Sequence, residues 1–305
     1  MKILYYILVG TLSLLISTNV GALDAKDKLT DKISAFKDGT INAFSGQLSE
    51  SISSFAQENF ESMKYLDFSL DLQEKLKPTF SIMSVNEIMK IDSGTIFNQT
   101  SLNTHDSDQT LNIGFGSRKL LNDNSLMLGA NAFYDHQFSE NHQRLGAGAE
   151  AITSIFDVRA NYYNALSGRK TNDSGTIERA MDGWDLRADY HLPIEQDVNI
   201  FVSAFEFENP ESASSYKETG NKYGVDAKLG NFVLEGGYQD DNQANDYWFS
   251  NITYVVNFGS GDKNNISSNS KSLTDVSDQL YQPVKRENKI RVVKIDASGV
   301  VVGGF

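Results

Sequence analysis

Between Lys64 and Phe258 apolar and polar residues alternate with a period of two. Leu66, Phe68, Leu70 and Leu72 interleave with Asp67, Ser69, Asp71 and Gln73. Leu111, Ile113 and Phe115 do the same, as do Leu145, Ala147, Ala149 and Ala151. Trp184, Leu186, Ala188 and Tyr190 follow, and the last run is Trp248, Ser250, Ile252, Tyr254, Val256 and Phe258. A period of two puts alternate side chains on opposite faces of a strand, so each run predicts a strand with one apolar face. About twelve such segments fit, each near the ten residues a tilted strand needs to cross a bilayer. The alternation is blurred over Thr79–Ile88 and Thr95–Thr104. From Arg118 onward the connections alternate in length. Those around Ser139–His142, Ser167–Gly183, Asn209–Asn221 and Asp240–Asp246 are longer, and those at Asn122–Ser125, Thr153–Ile155, Pro193–Asp197 and Gly230-Asn231 are shorter. A soluble sandwich has no reason for such alternation, whereas an outer-membrane barrel has tight turns at its periplasmic end and longer loops outside. The predicted fold is all-β, a transmembrane antiparallel up-and-down β-barrel of about twelve strands over residues 64–258.

The flanks follow other rules. Residues 1–22 hold Lys2, an apolar run from Ile3 to Ile16 and the small residues Val20-Gly21-Ala22, the pattern of a secretory signal peptide. In 23–63 the period is helical: Leu29, Ile33 and Phe36, then Ile41, Phe44, Leu48, Ile52 and Phe55, predict a periplasmic lead-in of two short amphipathic helices. Residues 259–305 read as linker and tail. The stretch 259–272 is rich in Ser, Asn, Gly and Lys and hence flexible. Ser272–Tyr281 predicts a short helix, Lys289–Ile295 a strand, and Gly299–Phe305 a small apolar end.

Composition narrows the function. Forty acidic against 27 basic side chains give a net charge of −13, which argues against nucleic-acid binding. Without cysteine there is no disulfide framework and no thiolate metal ligand or nucleophile. The negative mean hydropathy does not oppose a barrel, because lipid-facing and lumen-facing residues cancel in the average. The polar face carries both charge signs, at Arg118, Asp135, Glu150, Arg159, Asp185, Arg187, Asp189, Glu206, Asp226, Lys228 and Glu235. These residues are the expected pore lining, paired across strands. Dense strand glycines, such as Gly114, Gly116, Gly146 and Gly148, fit either barrel curvature or room for a polypeptide plug. Two-residue spacing places Asp189 and His191 on one face, where Ser203 could complete a hydrolase set. No Walker loop, HExxH or GxSxG motif occurs, so catalysis, cofactors and metals are not expected.

Three stretches carry a family resemblance: Leu111-Asn112-Ile113-Gly114-Phe115-Gly116-Ser117-Arg118, the string from Leu126 to His136, and His142 to Glu150. Glu178-Arg179-Ala180-Met181-Asp182-Gly183-Trp184-Asp185-Leu186-Arg187 and the later Val284-Lys285-Arg286-Glu287-Asn288-Lys289-Ile290 extend it. Together they resemble the β-domain of inverse autotransporters, the intimin and invasin class, over about residues 64–295. The resemblance implies a twelve-stranded outer-membrane barrel with a periplasmic amino terminus. It also implies a carboxy-terminal passenger that leaves through the pore, and a linker, here Val284, Arg286, Asn288 and Ile290, that rests inside. Implied partners are outer-membrane lipid, the barrel-assembly machinery, periplasmic chaperones and a host-cell or surface receptor. With 47 residues after Phe258, the expectation is a translocator or anchor with a vestigial passenger. The alternative is a small porin or a loop-displaying adhesin.

Overall fold

In the computed structural model the alternating segments become twelve strands that close into one antiparallel barrel. They are β1 (Met63–Gln73), β2 (Thr79–Ile91), β3 (Gly94–His105), β4 (Asp108–Leu121), β5 (Leu126–Gln137), β6 (Gln143–Thr153) and β7 (Phe156–Ala165). After the short β8 (Lys170–Thr171) and β9 (Ile177–Ala180) come β10 (Asp182–His191), β11 (Val198–Glu208), β12 (Lys217–Leu229), β13 (Phe232–Asp241) and β14 (Tyr247–Asn257). Each barrel strand pairs with its neighbour in sequence, β7 with β10, and β1 closes on β14 from Tyr65↔Asn257 to Gln73↔Phe249. Two short strands, β15 (Val292–Ile295) and β16 (Val301–Gly304), join β8 and β9 in a separate four-stranded sheet. The structure describes residues 62–73, 78–105, 108–172, 175–194, 197–211, 216–243, 247–257, 275–295 and 301–304. The segments expected to form a signal peptide and a helical lead-in (up to residue 61) and a linker (259–272) lie outside them.

The even strand number puts the start of β1 and the end of β14 at the same end of the barrel. That end holds the tight turns, including Asn122–Ser125 and Gly230-Asn231; Asn122, Asp123 and Asn124 take positive φ, which asparagine and aspartate tolerate best after glycine. The opposite end holds the two longest connections, β7–β10 and β11–β12, while β3–β4 at that end is as short as Gly230-Asn231 and β10–β11 at the turn end runs to six residues. Strand edges shift the sequence-based loop bounds: β12 begins at Lys217 and β13 runs to Asp241, while β8 and β9 occupy the middle of the Ser167–Gly183 loop.

The outer wall explains the composition. Phe115, Leu128, Leu145, Val158, Leu186, Ile200, Val202, Val225 and Leu234 are all exposed. An apolar belt of this extent is untenable in water and natural in lipid. Aromatic side chains bound it in two tiers. Tyr162 lies opposite Trp184, and Tyr238 opposite Trp248, near the long-loop end. Phe156 lies opposite Tyr190, and Phe232 packs edge-on to Tyr254 at 5.1 Å, near the turn end. Such girdles mark the two interfaces of a bilayer.

The inner wall is not purely polar. Phe97, Phe133, Tyr163, Phe201, Phe205 and Phe207 point inward and are buried. Glycines on adjacent strands make room for them. A Cβ at Gly114 would stand 2.2 Å from the Phe133 ring, and one at Gly116 would stand 2.4 Å from the Phe97 ring. At Gly114, Gly116 and Gly183 the glycine space is therefore filled by rings of the wall itself. Gly146, whose Cβ would meet the Arg286 guanidinium at 3.0 Å, is a place where the space serves the threaded chain. Gly114→Leu forces the Phe133 ring off its seat, and overpacking of this kind costs about 1–3 kcal/mol. The expected result is a lower unfolding midpoint of the folded barrel in urea.

The threaded lumen as candidate functional site

Residues 275–295 run through the barrel from the turn end to the long-loop end. Entry is beside the β4–β5 turn: the Val276 amide donates to the Asn124 carbonyl at 2.9 Å, and Val276 packs on Leu120, Met127 and Ile152. A single 3-10 turn, Ser277–Gln279, stands where the sequence predicts a longer helix. Beyond it the chain is extended. At the exit Ile290 packs with Ala180 and Val292, and Val292–Ile295 pairs with β9 from Val292↔Ala180 to Ile295↔Ile177.

An extended chain at membrane depth exposes N–H and C=O groups that lipid cannot satisfy, so the wall must satisfy them. Wall side chains do this at position after position. Arg118 Nη1 donates to the carbonyls of Leu280 at 2.9 Å and Gln282 at 2.5 Å. The Gln99 carboxamide receives the Val284 amide at 2.7 Å. Asn161 donates to the Lys285 carbonyl at 3.1 Å, Arg144 to that of Glu287 at 2.6 Å, and Asn112 to that of Asn288 at 2.9 Å. The Tyr163 hydroxyl accepts the Glu287 amide at 2.8 Å and donates to Asp185.

Side-chain recognition is concentrated on three cations of the thread. Arg286 grips Asp135 with both terminal nitrogens, at 2.8 and 2.7 Å, and lies over the Phe133 ring at 4.2 Å. Arg144 completes this group: its Nε is 2.8 Å from Asp135, and its guanidinium is 4.3 Å from the Tyr163 centroid. Lys285 reaches Asp189 at 3.1 Å and Asp226 at 3.2 Å. Arg291 pairs with Glu218 and Glu287 and covers Phe205 and Phe207, each at 4.6 Å. Planar guanidiniums bind carboxylates through two bonds and still stack on rings, so arginine suits a lumen built of both.

Most of the expected pore residues lie in this network. Arg118 pairs with Glu150 at 2.5 Å, and Arg159 with Asp189 at 2.8 Å. Arg187 reaches Asp189, Asp226 and Glu235 within 3.1 Å. Lys228 shares the inward parity of Asp226 on β12. Glu206 does not belong to the lining. On β11 the inward positions are Phe201, Ser203, Phe205 and Phe207, which leaves Glu206 on the outer face. There it receives a hydrogen bond from Lys217 at 2.8 Å, near the long-loop rim. Asp189 and His191 also fail to form a unit. Three cations claim Asp189, while His191 stands 3.0 Å from Asp157 and bonds to Asn199. The linker residues Val284, Arg286, Asn288 and Ile290 all lie along the thread. Lys285, Glu287 and Arg291 act there too, because a chain in mid-lumen meets wall on every side rather than on one face.

At the long-loop end a second cluster holds the β8–β9 hairpin. His142 is buried, with Nδ1 3.2 Å from the Ser167 hydroxyl and Nε2 3.8 Å from Glu178. His142 and Asn172 hold the Glu178 carboxyl below the usual carboxylate range.

Fold and site together define a transmembrane β-barrel plugged by its own downstream chain. Comparison with known proteins places it further. The family profile "Inverse autotransporter, beta-domain" matches residues 16–288. A putative attaching and effacing protein homolog of Escherichia coli K12 is 36% identical over 115 residues, covering 37% of this chain and 39% of that protein. Intimin of Citrobacter freundii is 38% identical over 99 residues, covering 32% of this chain and 10% of intimin. The chain thus spans well under half the length of either relative. A solved chain from work on in-meso crystallization of membrane proteins superposes with a TM-score of 0.65 at 22% identity, covering 75% of this chain and 99% of that one; the likeness is one of fold. The chain belongs to the inverse autotransporter β-domain family, and its barrel is of the outer-membrane type.

Proposed function

We propose that the barrel leads its carboxy-terminal segment across the outer membrane and then anchors it. In this reading the tight turns face the periplasm, and the long loops and the β15–β16 tail face outward. The observation that carries it is the path of residues 275–295, which enter beside the tight turns, fill the lumen and pair with a loop strand at the other end. The thread bonds to opposite walls, through Gln99 and Asn112 on one side and Asp189 and Asp226 on another, so it occupies the space a porin would leave to solute. Lipid surrounds the wall. Insertion by the barrel-assembly machinery, delivery by periplasmic chaperones and capture of a host or surface receptor by the displayed segment belong to the same reading.

An epitope tag fused after Phe305 tests it. Antibody labelling on intact cells, equal to that on permeabilised cells, is the expected result. Labelling only after permeabilisation would put the tail in the periplasm and overturn the assignment of ends.

A further inference from the structure

The small sheet outside the barrel has the order β16-β15-β9-β8. Its members come from two sources: β8 and β9 are a hairpin within the β7–β10 loop, and β15 and β16 belong to the threaded chain. Read from the hairpin outward, the spatial order is β8, β9, β15, β16, the order along the chain. β15 lies on the free edge of β9, and β16 then lies on the free edge of β15, from Val293↔Gly304 to Ile295↔Val301.

The hairpin is built from its own bonds and from bonds to the barrel. Its turn is closed by Asn172 and Thr176: each amide is 2.9 Å from the other residue, Asn172 receiving on its side chain and Thr176 on its carbonyl, with Gly175 at φ +83° between them. Asn172 also donates to Glu178 at 2.9 Å. Arg169 grips Glu211 at 2.5 and 2.8 Å, and Arg179 reaches the same carboxylate at 3.4 Å, tying the hairpin to the β11–β12 loop. His142 and Ser167 tie its base to β6. None of these bonds involves the thread. The edge of β9 is therefore a preformed ladder of backbone donors and acceptors beside the lumen exit, the arrangement by which an extended peptide is captured as an added strand. Its register is marked by charge: Lys170, Glu178 and Lys294 lie directly opposite one another across β8, β9 and β15. Opposite charges in one cross-strand row favour that register over a one-residue slip.

The geometry points to a folding template. The β8–β9 hairpin captures the emerging chain as β15, fixes its register, and starts a sheet that grows one strand at a time away from the pore. The substrate of this site is an extended peptide of the same chain. Capture on the outer side makes return into the lumen unfavourable, so the template gives export a direction. This role rests on the outward path proposed above.

The absence of cysteine in the chain permits a background-free test. Cells express the full chain with Ala180→Cys and Val292→Cys, a directly opposed pair outside the hairpin's side-chain bonds, and an epitope tag after Phe305. After a pulse of synthesis, the cross-link and surface labelling of the tag are followed together. A second full-length variant replaces Lys170–Ile177 by a Gly/Ser linker; its barrel insertion is checked by heat-modifiable migration. The expected result is that the cross-link precedes tag exposure, and that the hairpin replacement slows exposure several-fold while insertion is unchanged. Exposure at the normal rate without the hairpin, or a cross-link that forms only after exposure is complete, would overturn the template. Lys294→Glu, which leaves the hairpin's own bonds intact and sets like charges opposite one another at Glu178, slows exposure if register matters and leaves it unchanged if the template idea is wrong. A tag that never reaches the surface in the unsubstituted chain would instead remove the export reading itself.

Discussion

Arg286→Ala unseats the thread. The substitution removes both bonds to Asp135 and the stack on Phe133 in the middle of the lumen. Truncating one partner of a buried pair costs about 3–5 kcal/mol, because the other charge stays buried. Asp135 keeps Arg144 at 2.8 Å and Asn112 at 2.7 Å, so the lower end, about 3 kcal/mol, applies here. The lost contact lies between thread and wall, so the barrel itself stays folded. In planar bilayers the unsubstituted protein is expected to stay closed and the variant to open frequently. Asp135→Ala acts on a larger unit. It strands two buried guanidiniums, Arg144 and Arg286, and is expected to lower the unfolding midpoint of the barrel as well as open the pore. Equal, unchanged conductance in both variants would show that the Arg286–Asp135 contact does not hold the plug.

Leu186→Arg is the second large effect. Leu186 sits midway along β10, exposed on the outer wall between Ala160 and Ala204. A guanidinium at mid-bilayer on a barrel's lipid face costs about 2–4 kcal/mol, falling to about 0–1 kcal/mol near the interface. Asn221→Arg, on the same outer face of β12 but close to the long-loop rim, is the matched control. Urea unfolding in lipid vesicles is expected to separate the two variants by most of that difference. Equal effects would mean that the belt through Leu186 is not the membrane-embedded zone.

The reading of these two walls from sequence succeeded where a strand has one lipid face and one polar face. In β10, Trp184, Leu186, Ala188 and Tyr190 face out, and Asp185, Arg187, Asp189 and His191 face in, as the period of two predicts. Blurring over β2 and β3 has a physical cause. Phe97 is buried in the lumen while Asn98 and Thr100 lie on the outer side, so polarity no longer reports the face. The same inversion misplaced Glu206, a charge on the outer face of a strand whose inner face is Phe201, Phe205 and Phe207. The partners of Asp189 were illegible for another reason. Its cations come from β7, from β10 itself and from the thread, at Arg159, Arg187 and Lys285, and no local spacing encodes that meeting. Nor does the thread announce itself by periodicity, since an extended chain enclosed on all sides needs neither an apolar stripe nor alternation. Only β15, which joins a ladder, was visible as a strand, and the structure shortens it from Lys289–Ile295 to Val292–Ile295.

Between Leu280 and Asn288 the wall addresses the thread largely through its carbonyls and amides, and its charged side-chain contacts centre on Lys285, Arg286 and, beyond them, Arg291. A peptide backbone is common to every protein, so a conduit that grips backbone is largely indifferent to what passes through it. In the export proposed above, specificity would reside in a short final address that halts the chain and locks it in place. On that proposal transport is separated from cargo: a different segment beyond the address would meet the same wall.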